Sequence, residues 1–419
     1  MRQRARLAIV LVPVALVAAA CSDDEGGEAT TVPTIAVPVT APATPNLATT
    51  PPTNTSPPTT TAVDSVATTT ATTAPAGPLD VIADEPFPNE RCAANEAAGT
   101  ITYLSGFDFA ATVSIIDVIL ADEAGYYDEL CLDVSLQPSF STANYPFVAS
   151  GEAQFASGGS FSEVVNAADA NEAELVAVAV EGRSAIDSLI LKPGRAATLE
   201  DLAGTTIGVK QALPPSVAAM LATAGLGEGK DYETVLVDGF DPLVHITLDG
   251  IVGFPGYRNN EPGTLERAGV PFDLFVPTDY DVPGSSGVIY TSRDFLDDHP
   301  TAVEDFVRAT MRGLADALAE PDAASAIALQ RIDDNGNPNF LSPEGETFRW
   351  RSDVDKMLDE TADGPPPGVI EVDLLQAELD AYSDVGLFGD AGAPPASDFV
   401  AADLAAGIYD DTGTVIWPS

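Results

Sequence analysis

The sequence has 419 residues, with 18 Lys+Arg against 64 Asp+Glu and a formal net charge of −46. A chain this negative repels phosphate backbones and its cations are scattered singly, which excludes nucleic acid as a partner. Hydrophobic residues make up 45%, so this is not a disordered acidic polymer, and 2 His with 3 Cys are too few for His-rich or multi-Cys metal centres.

The N-terminus reads as an export signal, residues 1–20. Arg2, Arg4 and Arg6 precede the apolar run Leu7–Ala20, which is too short to span a bilayer comfortably. The run ends in Val17-Ala-Ala-Ala-Cys21, similar to a bacterial lipobox, with Ala18 where Leu is usual. A lipid on Cys21 would then anchor the chain outside the cell membrane. Residues 21–79 form a linker. Between Thr30 and Pro78 it holds 17 Thr and 10 Pro, with Asp64 the only charge. Such a chain stays near polyproline II and acts as a spacer of about 100 Å or more. Three of the 18 cations and five of the 64 acids precede residue 80, so the acidity belongs to the body.

Cys92 and Cys131 lie in the exported body, where an oxidising compartment favours a disulfide over two buried thiols. From residue 99 strand-like and helix-like segments alternate. Strands are expected at 100–104, 132–136, 153–156, 175–180, 188–192, 206–210, 234–237, 250–254, 272–276 and 288–290. Helices are expected at 110–123, 215–223, 302–319, 323–331 and 372–382. This alternation specifies an α/β fold with mainly parallel sheets.

Catalytic material is sparse. His245 and His299 read as a turn residue and a helix-entry residue, and there is no G-x-S-x-G elbow. Gly225–Asp231 imitates a phosphate loop, but Ala224 and Asp231 break the pattern. Asp333, Asn335, Asn337 and Glu344 have calcium-loop spacing, yet Pro338 stands where the sharp turn needs Gly. The expectation is therefore no enzyme, no cofactor and no metal.

Several ordered strings carry a family likeness. Ala124-Gly-Tyr-Tyr-Asp-Glu-Leu130, Val148–Ala156, Thr198–Val209, Asn260-Glu-Pro262 with Leu265 and Gly269, and Phe295–Gly313 resemble successive segments of extracytoplasmic solute-binding proteins. The nearest branch is the one related to thiamine-pyrimidine synthase, which includes pyrimidine and riboflavin binders. Nitrate, taurine and alkanesulfonate binders are cousins. The resemblance implies a type II periplasmic binding protein: two α/β lobes joined by a two-crossing hinge. Lobe 1 would be 80–190 and 287–419, and lobe 2 would be 191–286. It also implies a monomer that delivers a small-molecule solute to an ABC permease and its ATPase. The Cys-rich motif and Lys-His pair of the synthase are missing from this sequence, which argues against the enzyme of that branch.

In such a fold ligands sit at the C-terminal ends of strands. That places Phe107, Asp108 and Phe109 after the first strand, and Gly159, Ser160 and Phe161 after the third. In lobe 2 it places Gln211, Tyr257, Asn260 and Glu261, with Tyr280 on the return to lobe 1. Aromatic rings suit stacking on a flat ring, and carboxylates accept from amino or hydroxyl groups. Nearby cations are few, namely Arg183, Lys210 and Arg258. A neutral or cationic heteroaromatic solute therefore fits better than nitrate or sulfonate.

Overall fold

The computed structural model describes residues 77–335, 341–362 and 364–419. The signal, Cys21, nearly all of the linker and part of the calcium-like loop lie outside these residues. The ten strands are β1 (Thr100–Leu104), β2 (Asp133–Gln137), β3 (Phe155–Gly158), β4 (Leu175–Gly182), β5 (Asp187–Leu191), β6 (Thr206–Val209), β7 (Glu233–Leu236), β8 (Gly253–Tyr257), β9 (Asp273–Phe275) and β10 (Ser286–Ser292).

They form two five-stranded sheets, ordered β2-β1-β3-β10-β4 and β7-β6-β8-β5-β9. Within the first, β1 runs parallel to β2 and β3, while β10 is antiparallel to β3 and β4. Within the second, β6 is parallel to β7 and β8, while β5 is antiparallel to β8 and β9. So the sheets are mixed rather than mainly parallel. The reason is topological: β5 and β10 are the strands by which the chain enters a new sheet, and both enter reversed. Because β5 already belongs to the second sheet, the first crossing is Arg183–Ile186, ahead of the expected 190/191. The return ends at Ser286, beside the expected 287.

Apolar residues cover both faces of the first sheet. On one face Tyr103, Phe155 and Tyr127 gather around Phe306, with the Phe155 and Phe306 ring centroids 4.0 Å apart. Phe306 belongs to the amphipathic helix Pro300–Ala319, which packs on the helix Ile116–Glu123. A Cβ on Gly313 would come within 2.3 Å of Asp117 O, so only Gly permits this approach. On the other face Val164, Ala177, Val288 and Leu379 pack together. The second sheet buries Leu189, Ile207, Val217 and Met220.

Cys92 and Cys131 form a disulfide that ties the helix Asn89–Glu96 to the residues before β2. The helix expected at 110–123 begins at Ile116, because Ser114 holds a left-handed φ of 57°. Helices Ser141–Ala149, Phe161–Asn171 and Pro343–Thr361 were not expected.

Candidate functional site

The loops after β1, β3 and β8 carry most of the expected site residues, and the structure sorts them by burial. Phe109 is 2% exposed and Phe161 0%; both belong to hydrophobic cores, which corrects their assignment as ligand-facing. Phe109 sits in one core with Ala110, Val113 and Ile116, and Phe161 opens the helix Phe161–Asn171, whose Val164 and Val165 share its core. Ser160 caps the helix Phe161–Asn171 by accepting from Glu163 N at 3.3 Å. Asp108 has a left-handed φ of 47°, accepts from Phe109 N through Oδ1, and donates its own N–H to Ser139 O. Tyr280 packs edge-on against Phe275 in the second sheet's own core, apart from the others.

Glu261 is buried at 3% and fully engaged. One oxygen accepts from Tyr257 N at 2.8 Å, and the other meets Lys210 Nζ at 3.1 Å. It shapes the β8 loop rather than offering itself to a ligand. Asn260 Oδ1 accepts from Arg349 at 3.0 Å. Phe107 is half-buried, edge-on to Phe140, with the Arg349 guanidinium 5.8 Å from its ring centroid. Gln211 and Tyr257 are solvent-exposed at the ends of β6 and β8, and Gly159 is partly exposed after β3.

A second set escaped the sequence. Glu163 follows the Gly158-Gly159 turn, and its carboxylate lies so close to the turn that a Cβ on Gly159 would come within 2.5 Å of Oε2. Its side chain is exposed to solvent, as is that of Tyr257, 47% exposed. Burial of its surroundings, then the charge of Asp187, pushes the Glu163 carboxyl up to about 7. Tyr145 and Tyr290 stack with centroids 5.3 Å apart, and both lie within electrostatic range of Glu163. Their hydroxyls are buried and have no hydrogen-bond partner among the described residues. Behind them Asp187 accepts from Ser216 Oγ at 2.6 Å, and Glu378 accepts from Ser162 N at 2.9 Å. Burial raises both of these acids.

Ser160-x-x-Glu163 is a capping-box pattern, so Glu163 reads first as a helix start. Tyr145 precedes Pro146, which lies inside its helix and hides the helical pattern. Of the acids on the helix Pro343–Thr361 only Glu344 was read from the sequence, and Glu346 and Asp353 were not. Glu346 accepts from Ala111 N at 2.8 Å, and Asp353 accepts from Thr112 Oγ1 at 2.6 Å and from Asn259 Nδ2 at 2.9 Å. His245 is buried and bonds Asp238 O, and His299 packs beside Phe295 at a helix entry. Among the described residues no three His, Cys, Asp or Glu side chains are grouped to hold a metal ion.

Two mixed five-stranded sheets, with polar side chains gathered in the loops after their strands, invite comparison with known proteins. The family model described as NMT1/THI5 like matches residues 112–324. The chain belongs to the NMT1/THI5-like family. Among individual proteins, the riboflavin-binding protein RibY of Chloroflexus aurantiacus is 34% identical over 137 residues. That stretch spans 32% of this chain and 39% of RibY, well short of the relative's whole length. Among solved structures, the nitrate-binding protein NrtA of Synechocystis overlays with a TM-score of 0.53 at 14% identity, covering 73% of this chain and 86% of that one. The aliphatic sulphonate-binding protein SsuA of Escherichia coli gives 0.51 at 12% identity, covering 68% and 85%. These two likenesses show the fold: this NMT1/THI5-like chain has the periplasmic-binding-protein architecture.

Proposed function

We propose that the protein is the extracytoplasmic solute-binding component of an ABC importer, anchored through a lipid on Cys21. It captures a ring-bearing solute rich in hydrogen-bond donors between the two sheets, and passes it to a permease and ATPase. One observation carries the reading. Tyr145 and Tyr290 keep buried hydroxyls with no partner among the described residues, within electrostatic range of Glu163, and the exposed Tyr257 lies within range of Tyr145 and Glu163. Buried polar groups are normally paired, so an incoming molecule is their natural partner. Its rings would find Tyr257, and its N–H or O–H groups would find Glu163. The likeness to a protein named as riboflavin-binding points to a flavin or a smaller pyrimidine as the first solutes to try.

Nitrate or sulfonate, the ligands named for the structural neighbours, fit less well. Lys210 is held by Glu261, Arg349 by Glu346 and Asn260, and Arg183 by Glu371. Among the described residues Arg258 Nε is a buried donor without a partner, but a small oxyanion wants several.

A thermal-shift series with riboflavin, thiamine, hydroxymethylpyrimidine, taurine and nitrate tests the reading. A rise in melting temperature is expected with a ring compound. A rise with taurine or nitrate alone overturns it. Tyr145→Phe with Tyr290→Phe should weaken the active compound about ten-fold. Permease and ATPase genes beside this one distinguish an importer component from a free-standing sensor.

A further inference from the structure

We propose that the helix Pro343–Thr361 is a latch that holds the two sheets in their closed arrangement. Asn259, Thr112 and Asp353 would act as positioning residues that never touch the solute.

The helix is rooted in the first sheet. Trp350, Val354 and Met357 point into that sheet's core, and Trp350 is 0% exposed with its indole N–H on Ala317 O at 3.2 Å. Glu346 fastens the same side by accepting from Ala111 N. Other residues of the helix reach the second sheet. Phe348 lies against Gly263, where an added Cβ would sit 2.4 Å from the ring. Arg349 bonds Asn260, and Asp353 receives the amide of Asn259 on both carboxylate oxygens, at 2.9 and 3.1 Å.

Asn259 stands on the loop after β8, yet it is 0% exposed. Its Nδ2 also points at Thr112 Oγ1 of the first sheet, at 3.3 Å. One side chain of the second sheet is therefore buried between two elements of the first. Asp353 gathers Thr112, Val113 N and Asn259 around a single carboxylate. A swing of the second sheet away from the first must pull Asn259 out of this site and expose Asp353 to water. Closure and opening thus become two discrete arrangements, as hinged binding proteins require. Phe348, Arg349 and Asp353, the helix residues that reach the second sheet, lie beyond the segment matched by the family model, 112–324, whereas Thr112 and Asn259 lie within it. The inference rests on the two-sheet arrangement and not on the identity of the solute.

The test needs no solute, so its failure leaves the proposed function intact. Spin labels at D169C and K230C, both exposed, report the spacing of the sheets in the full chain with Cys21→Ser. The parent should show mainly one short distance. N259A and D353A should each enlarge a longer population about ten-fold, and the double variant should match the single ones, because both remove one shared interaction. Exchange of the Ala111 amide, bonded within the first sheet's own body, should stay unchanged and serve as the control. Unchanged distances in N259A, or effects of the two substitutions that simply add, overturn the latch. If D353A does not fold, N259A decides alone.

Discussion

Asp117 and Glu181 are 0% and 1% exposed, and each lies within electrostatic range of the other. Two buried carboxylates this close resist ionising together, because each charge disfavours the other. Burial, the first cause in each, pushes both upward, and Ser114 N steadies Glu181 at 2.9 Å. Tyr103, Tyr127 and Asp353 face the pair. Burial also raises the two tyrosines, so they stay neutral through this range. In the unfolded chain both acids titrate near ~4. Between there and the folded values the native state binds more protons, so stability is full at low pH and is lost as pH rises. We expect a higher melting temperature near about pH 5 than near about pH 8 from this pair. Glu181→Gln keeps the acceptor for Ser114 N and removes the charge that burial opposes, so the variant should gain stability relative to the parent as pH rises. A wild-type pH slope in that variant would falsify the assignment. Glu163, with its carboxyl at about 7, should act on binding instead: solute affinity should rise as pH passes upward through about 7, where the carboxylate becomes the acceptor, and Glu163→Gln should abolish that rise, measured by titration.

At the scale of elements, the disulfide closes a sequence separation of 39 residues. A loop of that length constrains the unfolded chain by about 4 kcal/mol. The pair Cys92→Ala and Cys131→Ala should lower the denaturant midpoint accordingly, and an unchanged midpoint would show that the bridge is dispensable. Strands were the most legible elements. The segment 100–104 coincides with β1, and 215–223 coincides with its helix, because buried β-branched runs and Pro at a first helical position are local signals. The helix Pro343–Thr361 was not legible, since its charged face is polar by composition and buried only by tertiary contact. The site loops could be located from strand ends, but the direction of each side chain could not. Phe107 and Phe109 stand two residues apart on one loop, yet Phe109 enters the core while Phe107 meets Phe140 and Arg349. Glu261 looked available because nothing local reveals that Lys210 and Tyr257 N already occupy it.

For the whole molecule, charge is the dominant long-range term. With 64 acids against 18 cations the surface repels itself, and added salt screens that repulsion. The melting temperature should rise between about 0.05 M and 1 M NaCl, where the Debye length shrinks to ~3 Å. Equal stability at both concentrations would show that the acids are spaced widely enough not to interact. The same excess shapes what approaches the cleft, drawing cations and neutral rings more readily than small anions. The chain has only two tryptophans, and their positions have an optical consequence. Trp350 stands between Arg349 and Asp353 on the helix that bridges the sheets. Trp417 is stacked 4.1 Å from the Arg312 guanidinium, with its indole N–H on Glu129, within the first sheet's body. Emission from Trp417 is thus a constant background. In a Trp417→Phe protein the colour and lifetime of Trp350 alone become a built-in, label-free meter of how the bridging helix is seated.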